Sequence, residues 1–201
     1  MPVRLWITRT QPGADRQAAE LEAAGYETLV APVLKVETTA AAPPSGHIDM
    51  VVFLSEHAVR FSENFSFCAG AQLFAVGLQT GSRLEAAGYS AQVPEDQRSE
   101  GLLKMPEFAS LRGKRVLLVA GEGGRDLLAD TLAQRGATVT DYRCYRRVAV
   151  TDVELSADQV DVIIAASGDG LAAIAMVDWR TDFGGVAGPA IPNRQVGGDL
   201  D

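Results

Sequence analysis

Short apolar runs alternate with Ala- and Leu-rich stretches along most of this chain, and that alternation limits its fold more than any other feature. The runs are Val3–Thr8, Thr28–Ala31, Met50–Ser55, Leu73–Val76, Val116–Ala120, Thr138–Arg143 and Val160–Ala165. Val116-Leu117-Leu118-Val119-Ala120 and Val162-Ile163-Ile164-Ala165 are apolar throughout, the pattern of strands covered on both faces of a parallel sheet. Stretches of helical period fill the intervals: Ala14–Ala24, Glu56–Phe61, Thr80–Ala87, Ser99–Met105, Arg125–Arg135 and Gly170–Met176. Strand and helix taking turns in this way predicts βαβ units.

A partial repeat marks the helix ends. Leu21-Glu22-Ala23-Ala24-Gly25-Tyr26 recurs word for word at Leu84–Tyr89, and more loosely at Leu132–Ala137. Each glycine falls where a helix needs a left-handed residue just past its end, with a strand to follow. Either three helix ends are solved alike or the chain carries an old duplication. Both readings mark αβ junctions.

Two segments break the alternation. Val33–Thr39 reads as a strand that leaves one domain, followed by the turn-rich Ala40–Gly46. Tyr142–Val150 is extended, and too long and polar for a buried parallel strand. Together they bracket a complete βαβ block. The expected fold is therefore α/β, with two doubly wound parallel-sheet domains joined by a two-stranded antiparallel linker. Residues 1–33 plus 151–201 form the discontinuous domain and 34–150 the inserted central one. The discontinuous domain holds few clear strands, and it is expected to be incomplete at its C-terminal end.

Composition removes several function classes. Over 201 residues, 26 Asp+Glu outweigh 18 Lys+Arg for a formal charge of −8, without the basic stripe that nucleic acid needs. No apolar run approaches a bilayer span, and the first residues lack a signal-peptide core, so no membrane partner and a cytoplasmic location are expected. Two cysteines, Cys68 and Cys144, make no disulfide framework, and with only His47 and His57 they give no zinc-like spacing. No metal is expected.

Open α/β sheets bind ligands beyond the carboxyl ends of their strands. The turns there are Thr8–Gly13, Ser55–His57, Gly77–Ser82, Gly121–Arg125 and Ser167–Gly170, all rich in Ser, Thr or Gly. Such residues cap helices, and they also leave N–H groups that favour anions. Each turn is a cap or part of a shared anion site. Gly121-Glu122-Gly123-Gly124 is neither a P-loop nor a dinucleotide motif. Ser55 and His57 lie two apart and do not face each other on a helix, so no nucleophile–base pair arises. Tyr145 is a competent proton donor by chemistry, or else a strand aromatic at an interdomain hinge.

In order and spacing, these segments resemble the uroporphyrinogen-III synthase family. The matching pieces are Ile7-Thr8-Arg9-Thr10 with Ala31–Val36, Val51–Ser55 with Ala58-Val59, and Ala75-Val76-Gly77 with Thr80. The most specific runs Val116–Arg125, then Leu128, Leu132, Gly136-Ala137 and Tyr145-Arg146-Arg147, with Val162–Ile164 and Ser167 last. The resemblance implies a ladder-joined pair of domains with the active site in their cleft. It implies a linear tetrapyrrole polycarboxylate, hydroxymethylbilane, as the small-molecule partner, with no cofactor and a monomeric enzyme. Tyr145 matches the family's candidate proton donor. Ser55, Thr80 and Ser167 match its cleft hydroxyls, and Gly121, Glu122 and Gly123 its central turn. Arg9, Arg125 and Arg146 stand near the same turns and can pair with carboxylates. The closing strand and helices of the family pattern do not follow Ala187, and Leu54 and Glu56 depart from its commoner strand end. A two-lobed small-molecule sensor without catalysis would use the same turns and linker.

Overall fold

A computed structural model describes residues 2–62, 64–123, 127–150, 152–153, 155 and 157–177. The strands are β1 (Arg4–Ile7), β2 (Glu27–Val30), β3 (Leu34–Thr38), β4 (Met50–Phe53), β5 (Gln72–Ala75), β6 (Arg115–Gly121), β7 (Thr138–Ala149) and β8 (Val162–Ile164). The helices are α1 (Gly13–Ala23), α2 (Glu56–Phe61), α3 (Leu78–Ala86), α4 (Ser99–Lys104), α5 (Leu127–Gln134) and α6 (Gly168–Ile174), with short 3₁₀ turns between some of them. The chain divides into two compact units, Met1–Leu34 with Ala149–Asp201, and Lys35–Val148.

The central unit is built on a five-stranded sheet in the order β3-β7-β6-β4-β5. β4 pairs in parallel with β5 and β6, and β6 in parallel with β7. β4 and β6 show why the apolar runs were informative. Every residue of β4 is buried, as is every residue of β6 after Arg115. Val51, Phe53, Leu117 and Val119 face one core, while Met50, Val52, Val116 and Leu118 face the other. Burying each such side chain contributes about 1.5–3 kcal/mol. Thr39 N donates to Cys144 O and Val150 N to Val33 O, so partner numbers fall as the chain rises. β3 and β7 are therefore antiparallel, as the linker pattern predicts.

In the discontinuous unit, β1 lies at the centre of a three-stranded parallel sheet, β2-β1-β8. Trp6 is fully buried among Val33, Leu34, Ala173 and Ile174, and its Nε1 donates to Ala31 O at 2.7 Å. Ile7 packs with Ala14 and Ala18 of α1. Here the apolar run misleads. β8 leaves Val162 45% and Ile163 39% exposed, so it is not covered on both faces. Among the described residues it is hydrogen-bonded to β1 alone, at the edge of their three-stranded sheet and without a second strand beside it.

The repeated helix ends share one geometry. Gly25, Gly88 and Gly136 have φ of 90°, 86° and 94°. Tyr26 N donates to Leu21 O, Tyr89 N to Leu84 O and Ala137 N to Leu132 O, at 3.1, 3.0 and 3.1 Å. This is the Schellman closure that a left-handed glycine allows.

Other expected boundaries move for identifiable reasons. α3 begins at Leu78 rather than Thr80, because Gly77 is extended and Gln97 Oε1, distant in sequence, accepts the Leu78 N–H at 3.0 Å. β7 is one strand over Thr138–Ala149, not two segments. It absorbs an extra residue: Ala120 stands opposite Arg143 but Gly121 opposite Tyr145, leaving Cys144 as a bulge. α5 is described from Leu127, and the polar stretch after Met176 lies outside the described residues from 178 onward. No described helix is long and apolar enough to cross a membrane.

Candidate active site

The bulge decides where Tyr145 points. Along β7, Val139 packs with the core of β4's Met50 and Val52, whereas Tyr142 and Cys144 belong to the opposite core. Strict alternation would return Tyr145 to Val139's face. Instead Tyr145 packs in the same core as Tyr142 and Cys144, 3% exposed.

Its ring lies against α2, with centroids 5.6 Å from His57 and 6.1 Å from Phe61. Its hydroxyl is 3.0 Å from Ser55 Oγ, and either oxygen can donate. Ser55 is the N-cap of α2 and accepts the Ala58 N–H at 3.0 Å. That second bond fixes the serine hydroxyl, so the serine in turn fixes the phenol. Gly121 leaves the space the ring needs: a Cβ there would stand 2.5 Å from Tyr145 Cε2 and Cζ. Glu122 N donates to Tyr145 O at 2.8 Å, so this backbone N–H is spent on the sheet and is closed to a ligand.

These groups line a cavity of about 550 Å³ at the carboxyl ends of the central unit's strands, a size suited to a small-molecule ligand. Ser55, Gly121, Glu122 and Tyr145, all expected from sequence, meet in its wall. Arg98, Arg143 and Arg147 supply its cations, with Glu100 and Glu122 as the acids. Arg98 forks onto Asp96 at 2.7 and 3.0 Å and holds that carboxyl below the usual range. Arg143 donates to Gly121 O at 3.1 Å and to Asp141 at 2.9 Å. The Arg147 guanidinium lies over the Tyr145 ring, 5.6 Å from its centroid, a contact contributing about 0.5–1 kcal/mol at an exposed site. Burial pushes both thiols up, Cys68 to about 12, so neither is a nucleophile.

The other expected residues lie elsewhere. Thr80 is buried in the first turn of α3 and does not line the cavity. Arg146 points away from Tyr145 and pairs with Glu37 at 3.4 Å, where Lys35 is the main group holding that carboxyl low. Gly123, exposed with φ 78°, follows the cavity turn. Arg125 falls outside the described residues. Two belong to the discontinuous unit: Ser167 caps α6 by accepting Gly170 N at 3.0 Å, and Arg9 lies across Gly13. Sequence reasoning did not single out Arg98, Arg143 or Arg147. A signal existed for one of them, since Tyr145 and Arg147 lie two apart beyond the bulge, the period of a strand face.

The family model for uroporphyrinogen-III synthase HemD matches residues 15–178. The uroporphyrinogen-III synthase of Escherichia coli K12 is 30% identical over 184 residues, covering 81% of this chain and 75% of that protein. The Salmonella typhimurium LT2 synthase is 32% identical over 158 residues, 71% of this chain and 64% of the relative. Among solved structures, a mutant uroporphyrinogen III synthase from the extremely thermophilic bacterium Thermus thermophilus superposes with a TM-score of 0.58 at 20% identity. That match covers 88% of this chain and 77% of the other. The uroporphyrinogen-III synthetase of Helicobacter pylori 26695 gives 0.57 at 13% identity, covering 89% and 79%. At such identities these two likenesses establish the two-domain α/β fold alone. The breadth of the family match and the curated relatives establish more: this chain belongs to the uroporphyrinogen-III synthase family.

Proposed function

We propose that the chain is a hydro-lyase that cyclises hydroxymethylbilane to uroporphyrinogen III, losing water and inverting the terminal pyrrole ring, in tetrapyrrole (haem) biosynthesis. Family membership supports the reaction. The observation that carries the site is the Tyr145 hydroxyl, held 3.0 Å from the Ser55 capping oxygen at the edge of a cation-lined cavity.

Tyr145 gives its proton to the departing hydroxyl of the substrate as the C–O bond breaks, releasing water. The terminal ring then attacks, rearranges through a spiro intermediate and closes the macrocycle. The ring carbon that forms the last bond sheds a proton, which restores the phenol. Unguided closure gives the other isomer, so specificity comes from holding the chain in one geometry. Arg98 and Arg143 pair with the substrate's carboxylates in the inserted domain, residues 34–150. Arg9, Thr80, Gly123, Arg125 and Ser167 are further candidates for contacts as the substrate extends. The enzyme acts in the cytoplasm as a monomer and needs no cofactor.

The test supplies hydroxymethylbilane and separates the isomers after oxidation to porphyrins. An excess of isomer III is expected. An isomer mixture equal to the enzyme-free control, from folded protein, overturns the reading, as does binding without conversion.

A further inference from the structure

The three guanidinium groups of the cavity are not equivalent. Arg98 is held by Asp96, and Arg143 by Asp141 and the Gly121 carbonyl. Arg147 has no carboxylate partner among the described residues. Its Nη2 stands 3.5 Å from Tyr145 Oη, and its Cζ lies 5.6 Å from the centre of the same ring. Both contacts go to one side chain, two positions back along β7.

We propose that Arg147 is the positioning residue of Tyr145, a role that rests on reading Tyr145 as the proton donor. Packing from behind is already complete: His57 and Phe61 touch the ring from α2, and Gly121 lies against it from β6. The hydroxyl end is where control remains open. Ser55 Oγ accepts the Ala58 N–H, which leaves its own proton free to turn towards Tyr145. When Tyr145 gives up its proton, the oxygen left behind therefore meets two donors, Ser55 O–H and Arg147 N–H. The Arg147 charge offsets the negative charge formed there. A guanidinium lying over the ring also limits how far the phenol can swing. The nearest acids of the cavity wall, Glu100 and Glu122, and the other cations, Arg98 and Arg143, complete the charged groups around the site.

A rival role, direct binding of a substrate carboxylate, makes different demands. It would act on affinity and would not depend on Tyr145. Kinetics with hydroxymethylbilane on the wild type, R147Q, R147K, Y145F and the R147Q/Y145F double variant separate the two. Arg147→Gln is expected to lower kcat about 10- to 100-fold with KM changed less than about 3-fold. In the Tyr145→Phe background the same substitution is expected to cost less than about 2-fold, because its target is gone. Arg147→Lys should recover part of the loss. Losses that multiply, or a loss confined to KM, overturn the proposal while leaving the synthase reading intact. A wild type that converts nothing sinks the synthase reading instead. In that event NMR of ring-labelled tyrosine still decides whether Arg147 holds the phenol. Signals assigned to Tyr145 by their absence from Y145F should move in folded R147Q, and unmoved signals overturn the proposal without any turnover.

Discussion

Each unit places a serine in extended backbone within three residues of the end of a sheet strand, at φ −166° and ψ 161° for Ser55 and φ −158° and ψ 161° for Ser167. Each hydroxyl accepts the N–H three residues on, at 3.0 Å. The same parallel runs through the strand starts. Asp49 accepts Arg115 N at 2.8 Å and returns its own N–H to Arg115 O at 3.0 Å, while Asp161 does the same with Arg4 at 2.8 and 3.0 Å. Locally the two units are built alike. They differ in what arrives from elsewhere in the sheet. In the central unit a bulge on β7 delivers a phenol to the serine, whereas Ser167 has only its capping partner among the described residues. Matching βα turns thus become a cap in one place and a reactive constellation in the other, and β7, one strand beyond β4's neighbour β6, makes the difference.

The comparison breaks most sharply at Tyr145. Tyr145→Phe keeps the packed ring and removes the oxygen, so turnover should fall about 10²- to 10⁴-fold while the thermal midpoint stays nearly constant. Turnover within a few-fold of wild type would deny Tyr145 the acid role. Next comes Gly121→Ala, whose methyl would stand 2.5 Å from the ring. Overpacking of this kind costs about 1–3 kcal/mol, measurable as a lower urea midpoint, with a loss of turnover beside it. In a Tyr145→Ala background the same methyl should cost little, and an unchanged penalty would show that the clash lies elsewhere.

The two serines then give a matched pair. Ser167→Ala removes a cap alone and should cost about 1 kcal/mol. Ser55→Ala also strips the phenol of its partner, which adds about 0.5–1.5 kcal/mol. Equal losses in denaturant would mean the Ser55–Tyr145 bond adds nothing to stability.

The smallest effect is at low pH. Asp49 is held below the usual carboxyl range chiefly by the Arg115 backbone N–H, and Asp161 chiefly by the Arg4 side chain. Depressed carboxylates contribute stability that is present above their unfolded pKa, about 3.9, and lost as pH falls through the lower folded value. Both pairs are partly exposed, so the acid limb of a stability–pH curve should flatten only slightly in Asp49→Asn or Asp161→Asn. A limb that steepens would reverse the sign.

Much of this was legible in the chain. Continuous apolar runs located β4 and β6 because a strand buried on both faces has no polar side to show. The repeated Ala-Ala-Gly-Tyr ends predicted their left-handed glycines because only glycine takes that conformation without strain. The same run logic failed at β8, since composition cannot say whether a strand lies inside a sheet or at its edge. The start of α3 was hidden because its cap, Gln97, is a tertiary contact. Tyr145 and Ser55 could be named from order and spacing, but their meeting could not. It depends on one unpaired residue in β7, which no local propensity announces. Arg98 and Arg143 reach the cavity through long side chains whose anchors, Asp96 and Asp141, read in sequence as ordinary surface acids.

The bulge at Cys144 also makes the site a matter of counting. Every residue of β7 beyond it faces opposite to the side that its distance from Thr138 would give. Inserting one residue between Cys144 and Tyr145 would leave the composition of the strand almost untouched, yet it would turn the phenol away from Ser55. Substitutions along this strand adjust the site by degrees. A residue added there is all or nothing, so the spacing from the bulge to Tyr145 is as much a functional element as the phenol itself.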